Sequence, residues 1–233
     1  VERAGAELKG QGYEVSLPDG RKYPSAVGAL CQQYGIKALA FEQNAMTVEQ
    51  YEAYRTSCAD VVWRPVTAEL NELREVKEAS EVQCIEAAQR IAEQALERLL
   101  PELRPGKSEK ALAALLDYNM NVLGSEGVSF PTILVSGKNS SLPHGVPGGK
   151  LIEDGDFVTI DFGAMVCGYH SDMTRTFAIG HATDEMRQVY NTVLRSQMAA
   201  IEAVEPGKTS HAVHRAPAGM REAAGYGAYA PIG

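Results

Sequence analysis

Residues 155–177 read Gly-Asp-Phe-Val-Thr-Ile-Asp-Phe-Gly-Ala-Met-Val-Cys-Gly-Tyr-His-Ser-Asp-Met-Thr-Arg-Thr-Phe, two β-prone runs flanking Val166-Cys167-Gly168. Glycine reaches positive φ at no steric cost, so a tight turn here folds the two runs into a hairpin. With the turn centred between residues 166 and 167, Asp161 and Asp172 stand directly opposite each other, their Cβ atoms about 4.5–5.5 Å apart. Facing carboxylates repel and lose hydration in a sheet. Either one takes up a proton, as in an acid–base dyad, or a cation is placed between them. Oxygen donors suit hard ions such as Mg2+, Mn2+ or Ca2+, and a shared carboxylate pair suits two ions about 3.5–4 Å apart. Spacing alone also fits the ordinary alternative, an Asp that caps a turn or faces solvent. Against it, Asp161 ends the run Phe157-Val-Thr-Ile, which reads as mostly buried, and Asp172 lies beside two hydroxyls and Arg175, groups suited to orienting a carboxylate.

The rest of the chain divides near residues 73–80. Before that point short elements alternate: a helix over 25–34, a buried strand over 37–41, a helix over 47–58 and a strand over 61–63. Thr47 and Gln50 form a capping box for the second helix. This alternation predicts an α/β layer with parallel strands, too short to be a whole doubly wound domain. From Ser80 the pattern turns to long helices. Ser80 and Gln83 read as another capping box, and Val82, Ile85, Ala88, Ala92, Ala95, Leu96 and Leu99 share one face. Ser108 caps a further helix bearing Leu112, Leu115, Leu116 and Leu123, which Gly124 ends. Strands are predicted over 132–135, 156–162 and 173–179, then a helix over 184–204. Pro217 should kink or end a last helix over 210–224. Helices around antiparallel strands predict an α+β second domain.

The chain has 233 residues, 45% hydrophobic and 22% charged, enough for a sizeable core. Its net charge of −8 and lack of any basic run exclude a nucleic-acid footprint. No apolar stretch is long enough for a membrane, and the N-terminus has no signal core. Cys31, Cys58, Cys84 and Cys167 are scattered, with no CxxC pair, which argues against a disulfide framework or structural zinc and for a cytoplasmic location.

Asp-Phe-Gly, Gly-Tyr and Ser-Asp-Met-Thr-Arg-Thr-Phe closely resemble the pita-bread metallopeptidases, the family of Xaa-Pro aminopeptidase, prolidase and methionine aminopeptidase. Ser129-Phe-Pro-Thr-Ile, Ser136-Gly-Lys-Asn, Leu142-Pro-His-Gly, Pro105-Gly-Lys-Ser-Glu and Leu73-Arg-Glu-Val-Lys also fit the family. The resemblance implies that residues 1–72 end an α/β N-terminal domain and that residues 73–233 are the first two-thirds of the catalytic domain. It implies that Asp161 and Asp172 are two of five ligands for two divalent metal ions, often manganese. His144 would hydrogen-bond the substrate or the developing tetrahedral centre, with Tyr169 and Arg175 as packing and orienting residues and His170 and His181 at the surface. The implied reaction is attack by a hydroxide bridging the two metals on proline-containing peptides, releasing the N-terminal residue, in a protein commonly a homodimer. Prolidase is the close alternative. A non-catalytic peptide- or protein-binding module has no use for the aspartate pair.

The family's remaining ligands, a His in a His-x-x-Gly-His motif and two glutamates, have no match in this sequence. Ile232 falls where the motif's first His belongs and Ala230 where an aromatic belongs. The expectation is therefore a truncated or frame-damaged reading, inactive as it stands.

Overall fold

The computed structural model describes residues 22–227 throughout, together with residues 8, 9, 11–16, 18 and 20. Ala230 and Ile232 lie outside the described residues. The chain divides into two units, Val1–Glu78 and Ala79–Gly233.

In the first unit the described elements are α1 (Tyr23–Gln33), β1 (Ala38–Phe41), α2 (Val48–Ser57), β2 (Val62–Pro65) and α3 (Thr67–Glu75). β1 and β2 are parallel, with Ala38 opposite Val62 and Phe41 opposite Pro65. α2 is the crossover that parallel strands require. Its capping box forms as the sequence predicts: Gln50 N donates to Thr47 Oγ1 at 3.2 Å, and Thr47 N donates to Gln50 Oε1 at 2.9 Å. Phe41 stacks on Tyr51 at 5.1 Å, and Trp63 meets Phe41, Tyr51 and Tyr54 at 5.9–6.0 Å. These rings seat α2 on the two strands. β1 is expected to be buried, but it alternates between exposed and half-buried residues, because the cluster covers one face only.

The second unit runs α4 (Ala79–Leu99), α5 (Glu109–Val122), β3 (Ile133–Ser136), β4 (Phe157–Phe162), β5 (Met165–Val166), β6 (Tyr169–His170), β7 (Met173–Ala178), α6 (Asp184–Glu202) and α7 (Ser210–Ala223). β3, β4 and β7 form an antiparallel sheet in that order, and β5 pairs with β6 at the hairpin tip. Val158, Ile160 and Phe162 alternate along β4 and point into a core shared with α4 and α5. Ala88, Ala92 and Ala95 are fully buried, small enough to let α4 approach its neighbours closely. α4 starts at Ala79, so Ser80 lies inside its first turn and not at the expected cap. α7 runs unbroken through Pro217, where the sequence predicts a kink or an end. A proline deletes one i→i−4 bond, and the turns on either side carry the helix across the gap.

One buried charge ties the helices to the sheet. Glu109, at the first position of α5, is fully buried. Its carboxylate accepts from Ser136 N and Ser136 Oγ, both at 2.8 Å, and from Gly148 N at 3.0 Å. The helix N-terminus also favours negative charge there, while Ser108 Oγ accepts from Ala111 N at 3.2 Å. Glu109→Ala strands the buried N–H and hydroxyl of Ser136 and the half-buried N–H of Gly148, and is expected to cost about 3 kcal/mol or more. In a domain of this size that lowers the thermal midpoint by about 6–12 °C, which circular dichroism would record; an unchanged midpoint would contradict the role given to this carboxylate.

Candidate metal centre

The hairpin forms with a register different from the expected one. Val166 pairs with Tyr169 and Met165 with His170, which leaves Cys167 and Gly168 as the two turn residues. Both have positive φ, 51° and 75°, as a type I′ turn requires. The turn therefore centres one residue later than the sequence predicts, and every partner moves by two. Asp161 faces Thr174, not Asp172. Because side chains alternate with period two, the shift keeps Asp172 on the same face as Asp161, now as its diagonal neighbour. Asp161 stays near enough for its charge to act on the Asp172 carboxyl.

Close packing at the junction of the two ladders places them there. Ser171 N donates to Ala164 O at 2.9 Å, and Ala164 N turns to Ser171 Oγ at 3.0 Å. Ser129 N donates to Gly163 O at 2.9 Å, and the Ser129 hydroxyl shares its proton between Ala164 O at 2.8 Å and Ser171 O at 2.7 Å. A Cβ on Gly163 would sit 1.9 Å from Ser171 O, so only glycine fits beside Asp172's own strand.

The face carrying the aspartates is the one turned away from the core. Thr174 Oγ1 donates to Asp161 Oδ1 at 2.8 Å, and one pair further along Thr159 and Thr176 meet hydroxyl to hydroxyl at 3.3 Å. Thr174 therefore orients Asp161. Arg175, the other expected orienting group, stands at the opposite parity and donates to the carbonyl of Thr174. Asp172 is exposed as a residue, yet partial loss of hydration around its carboxyl, and then the charge of Asp161, push that carboxyl above the usual carboxylate range. Removing one negative charge relieves this, whether a proton or a cation does so. The donors are carboxylate oxygens with a hydroxyl behind one of them, a set that fits a hard divalent ion. Among the described residues no third His, Cys, Asp or Glu completes a cluster with them.

His144 is exposed in the turn after the 3-10 segment Gly137–Ser141 that follows β3. Its ring makes no hydrogen bond among the described residues, and the structure does not bring it into contact with the aspartates. Tyr169 donates its hydroxyl to Glu81 on α4 and so holds the hairpin tip. His170 is exposed, and His181 pairs with Asp154 at the surface at 2.9 Å. The sequence reading passed over Thr174 as one hydroxyl among several, and over Gly163. The signal for Thr174 was the two-residue step from Asp172.

A helix-backed antiparallel sheet with paired carboxylates on its other face, preceded by a parallel α/β unit, is the architecture of a pita-bread metal-dependent peptidase. The chain belongs to metallopeptidase family M24, which residues 83–233 match, and residues 2–76 match the Creatinase/Prolidase N-terminal domain. It is 37% identical over 224 residues to an uncharacterized peptidase of Bacillus subtilis, covering 96% of this chain and 63% of that protein. It is 39% identical over 160 residues to an Xaa-Pro dipeptidase of Pyrococcus furiosus, covering 69% and 46%. Among solved structures, an X-Pro aminopeptidase from Thermotoga maritima superposes with a TM-score of 0.88 at 32% identity, covering 93% of this chain and 61% of that one. An Xaa-Pro dipeptidase from Bacillus anthracis gives 0.90 at 35% identity, covering 97% and 64%. The chain thus spans between 46% and 64% of the length of these relatives. No helix among the described residues is long and apolar enough to cross a membrane.

In the metal-free chain, Asp172→Asn is expected to raise the thermal midpoint at pH 7. A carboxyl whose folded pKa lies above its unfolded one binds its proton more tightly when folded, so its charge costs stability above that range. The gain should shrink as the pH falls through about 4, where the unfolded carboxyl also protonates. Melting curves at pH 3 and pH 7 check this, and an Asn variant less stable at pH 7 would contradict it.

Proposed function

We propose that the protein containing this chain is a metal-dependent Xaa-Pro aminopeptidase, which hydrolyses the bond between an N-terminal residue and a following proline. The observation that carries the reading is the placement of Asp161 and Asp172 as diagonal neighbours on one face of the sheet. Asp161 and Asp172 would hold two divalent ions, taken to be Mn2+, with Thr174 fixing the angle of Asp161. When bound, such ions lower the pKa of water and stabilise negative charge developing on a carbonyl oxygen. His144, exposed on its loop, would donate a hydrogen bond to the substrate carbonyl as it becomes tetrahedral. The reading includes a homodimer and a cytoplasmic location.

The second reading is an Xaa-Pro dipeptidase, the name carried by the relatives from Pyrococcus furiosus and Bacillus anthracis. Peptide length separates the two. With Mn2+ present, the protein completed by its three further ligands should release the first residue from an Xaa-Pro-Yaa tripeptide, and Asp161→Ala or Asp172→Ala should abolish that release. His144→Ala should lower kcat by about 100-fold or more. Cleavage of Xaa-Pro dipeptides alone would favour the second reading, and no cleavage of either would favour a binding module. The 233-residue chain by itself offers two of five ligands, so calorimetric titration with Mn2+ should record at most weak binding; tight binding of two ions would overturn that ligand count.

A further inference from the structure

The four cysteines, scattered in sequence, meet in pairs. Cys31 and Cys58 are both buried where α1 packs against the end of α2, and Cys58 feels Cys31 directly. Cys84 and Cys167 meet at a different kind of place. Cys167 is exposed at the first position of the type I′ turn, with φ at 51°, the only non-glycine residue in the described chain with positive φ. Asn, Asp or Gly ordinarily fills that position, and a residue with a Cβ carries strain there. The strained turn is pinned from two sides. Glu126 accepts from Cys167 N at 2.9 Å and from Gly168 N at 3.0 Å. Two residues on, the Tyr169 hydroxyl bonds Glu81, one helical turn from Cys84 on the same face of α4. The 79–99 helix packs along both strands of the hairpin tip, so the clamps hold the turn carrying Cys167 against the stretch of α4 that carries the half-buried Cys84, whose thiol feels Cys167 directly.

We propose that Cys84 and Cys167 are a dithiol oxidation site, which a peroxide converts to a disulfide that pins the hairpin turn to α4. Cys167, the exposed partner, reacts first. Its sulfur attacks one peroxide oxygen, the O–O bond breaks, and a sulfenic acid and one water result. The Cys84 sulfur then attacks the Cys167 sulfur, the S–O bond breaks, and the hydroxide leaves with the Cys84 proton as a second water. Two thiols lose two electrons and the peroxide gains them. Burial first, then Cys167 and the carboxylates of Glu126 and Glu81, push the Cys84 thiol up, which suits it to the second, resolving step and not to the first. Cys31 and Cys58, shielded from solvent, serve as the internal control.

The test is hydrogen peroxide in small excess on the reduced 233-residue chain, followed by alkylation, tryptic digestion without reduction and mass spectrometry. The expected product joins the peptide 78–90 to the peptide 151–175, with Cys31 and Cys58 recovered alkylated. It should vanish in Cys84→Ser and in Cys167→Ser. Closing so long a loop should also raise the thermal midpoint by about 5–10 °C, reversed by dithiothreitol. If a chain with native circular dichroism returns Cys84 and Cys167 on separate peptides, or links Cys31 to Cys58 in their place, the proposal is wrong.

Discussion

The two-residue turn at Cys167 and Gly168 determines where both aspartates stand. Each strand of a hairpin alternates its side chains, so the turn's position sets which residues face each other and on which side. A turn centred one residue later than the expected place still leaves Asp161 and Asp172 on one face, since each pairing moves by an even step. A shift of one strand by a single residue would have sent Asp172 to the core side, against Met173 and Phe162. The turn is not a favourable sequence by itself. Glu126 satisfies its two amides, Tyr169 ties it to α4, and Gly163 with the Ser129 and Ser171 hydroxyls locks the strands where the two ladders meet.

The division of labour between the two faces follows from burial. On one side Val158, Ile160 and Phe162 join α4 and α5 in a dry core. Among the described residues Glu109 is the one fully buried charge, and it is tolerated because three donors and a helix N-terminus surround it. On the other side the same strands carry Thr159, Asp161, Thr174 and Thr176, a polar strip that supplies the hard oxygen atoms a divalent ion prefers. The rigid, apolar face thus holds in place two carboxylates that repel each other.

Much of this was legible in the sequence where the cause is local. The capping box at Thr47 and Gln50 and the cap at Ser108 depend on residues three apart, and both formed as read. The apolar face of α4 followed from helical periodicity, although Val82 at its start is exposed. The alternation along β4 and β7 put both aspartates on one face. What escaped the reading depends on contacts distant in sequence. Nothing near Glu109 announces that Ser136 and Gly148 will surround its carboxylate. The cysteine spacing hid both thiol pairs, since each is made by packing between separate elements. Ser80 has the pattern of a cap, yet the helix gains another residue by starting at Ala79. The turn centre was missed because a cysteine at a left-handed position is rarer than the glycine beside it.

The most direct measurement is diffraction at the manganese absorption edge from crystals, grown with Mn2+, of the longer protein proposed to contain this chain. The strongest anomalous peak should lie between the carboxylates of Asp161 and Asp172, with Thr174 still bonded to Asp161, and should disappear in Asp161→Asn. A peak at other residues, or none at this pair, would contradict the assignment of the two aspartates as metal ligands.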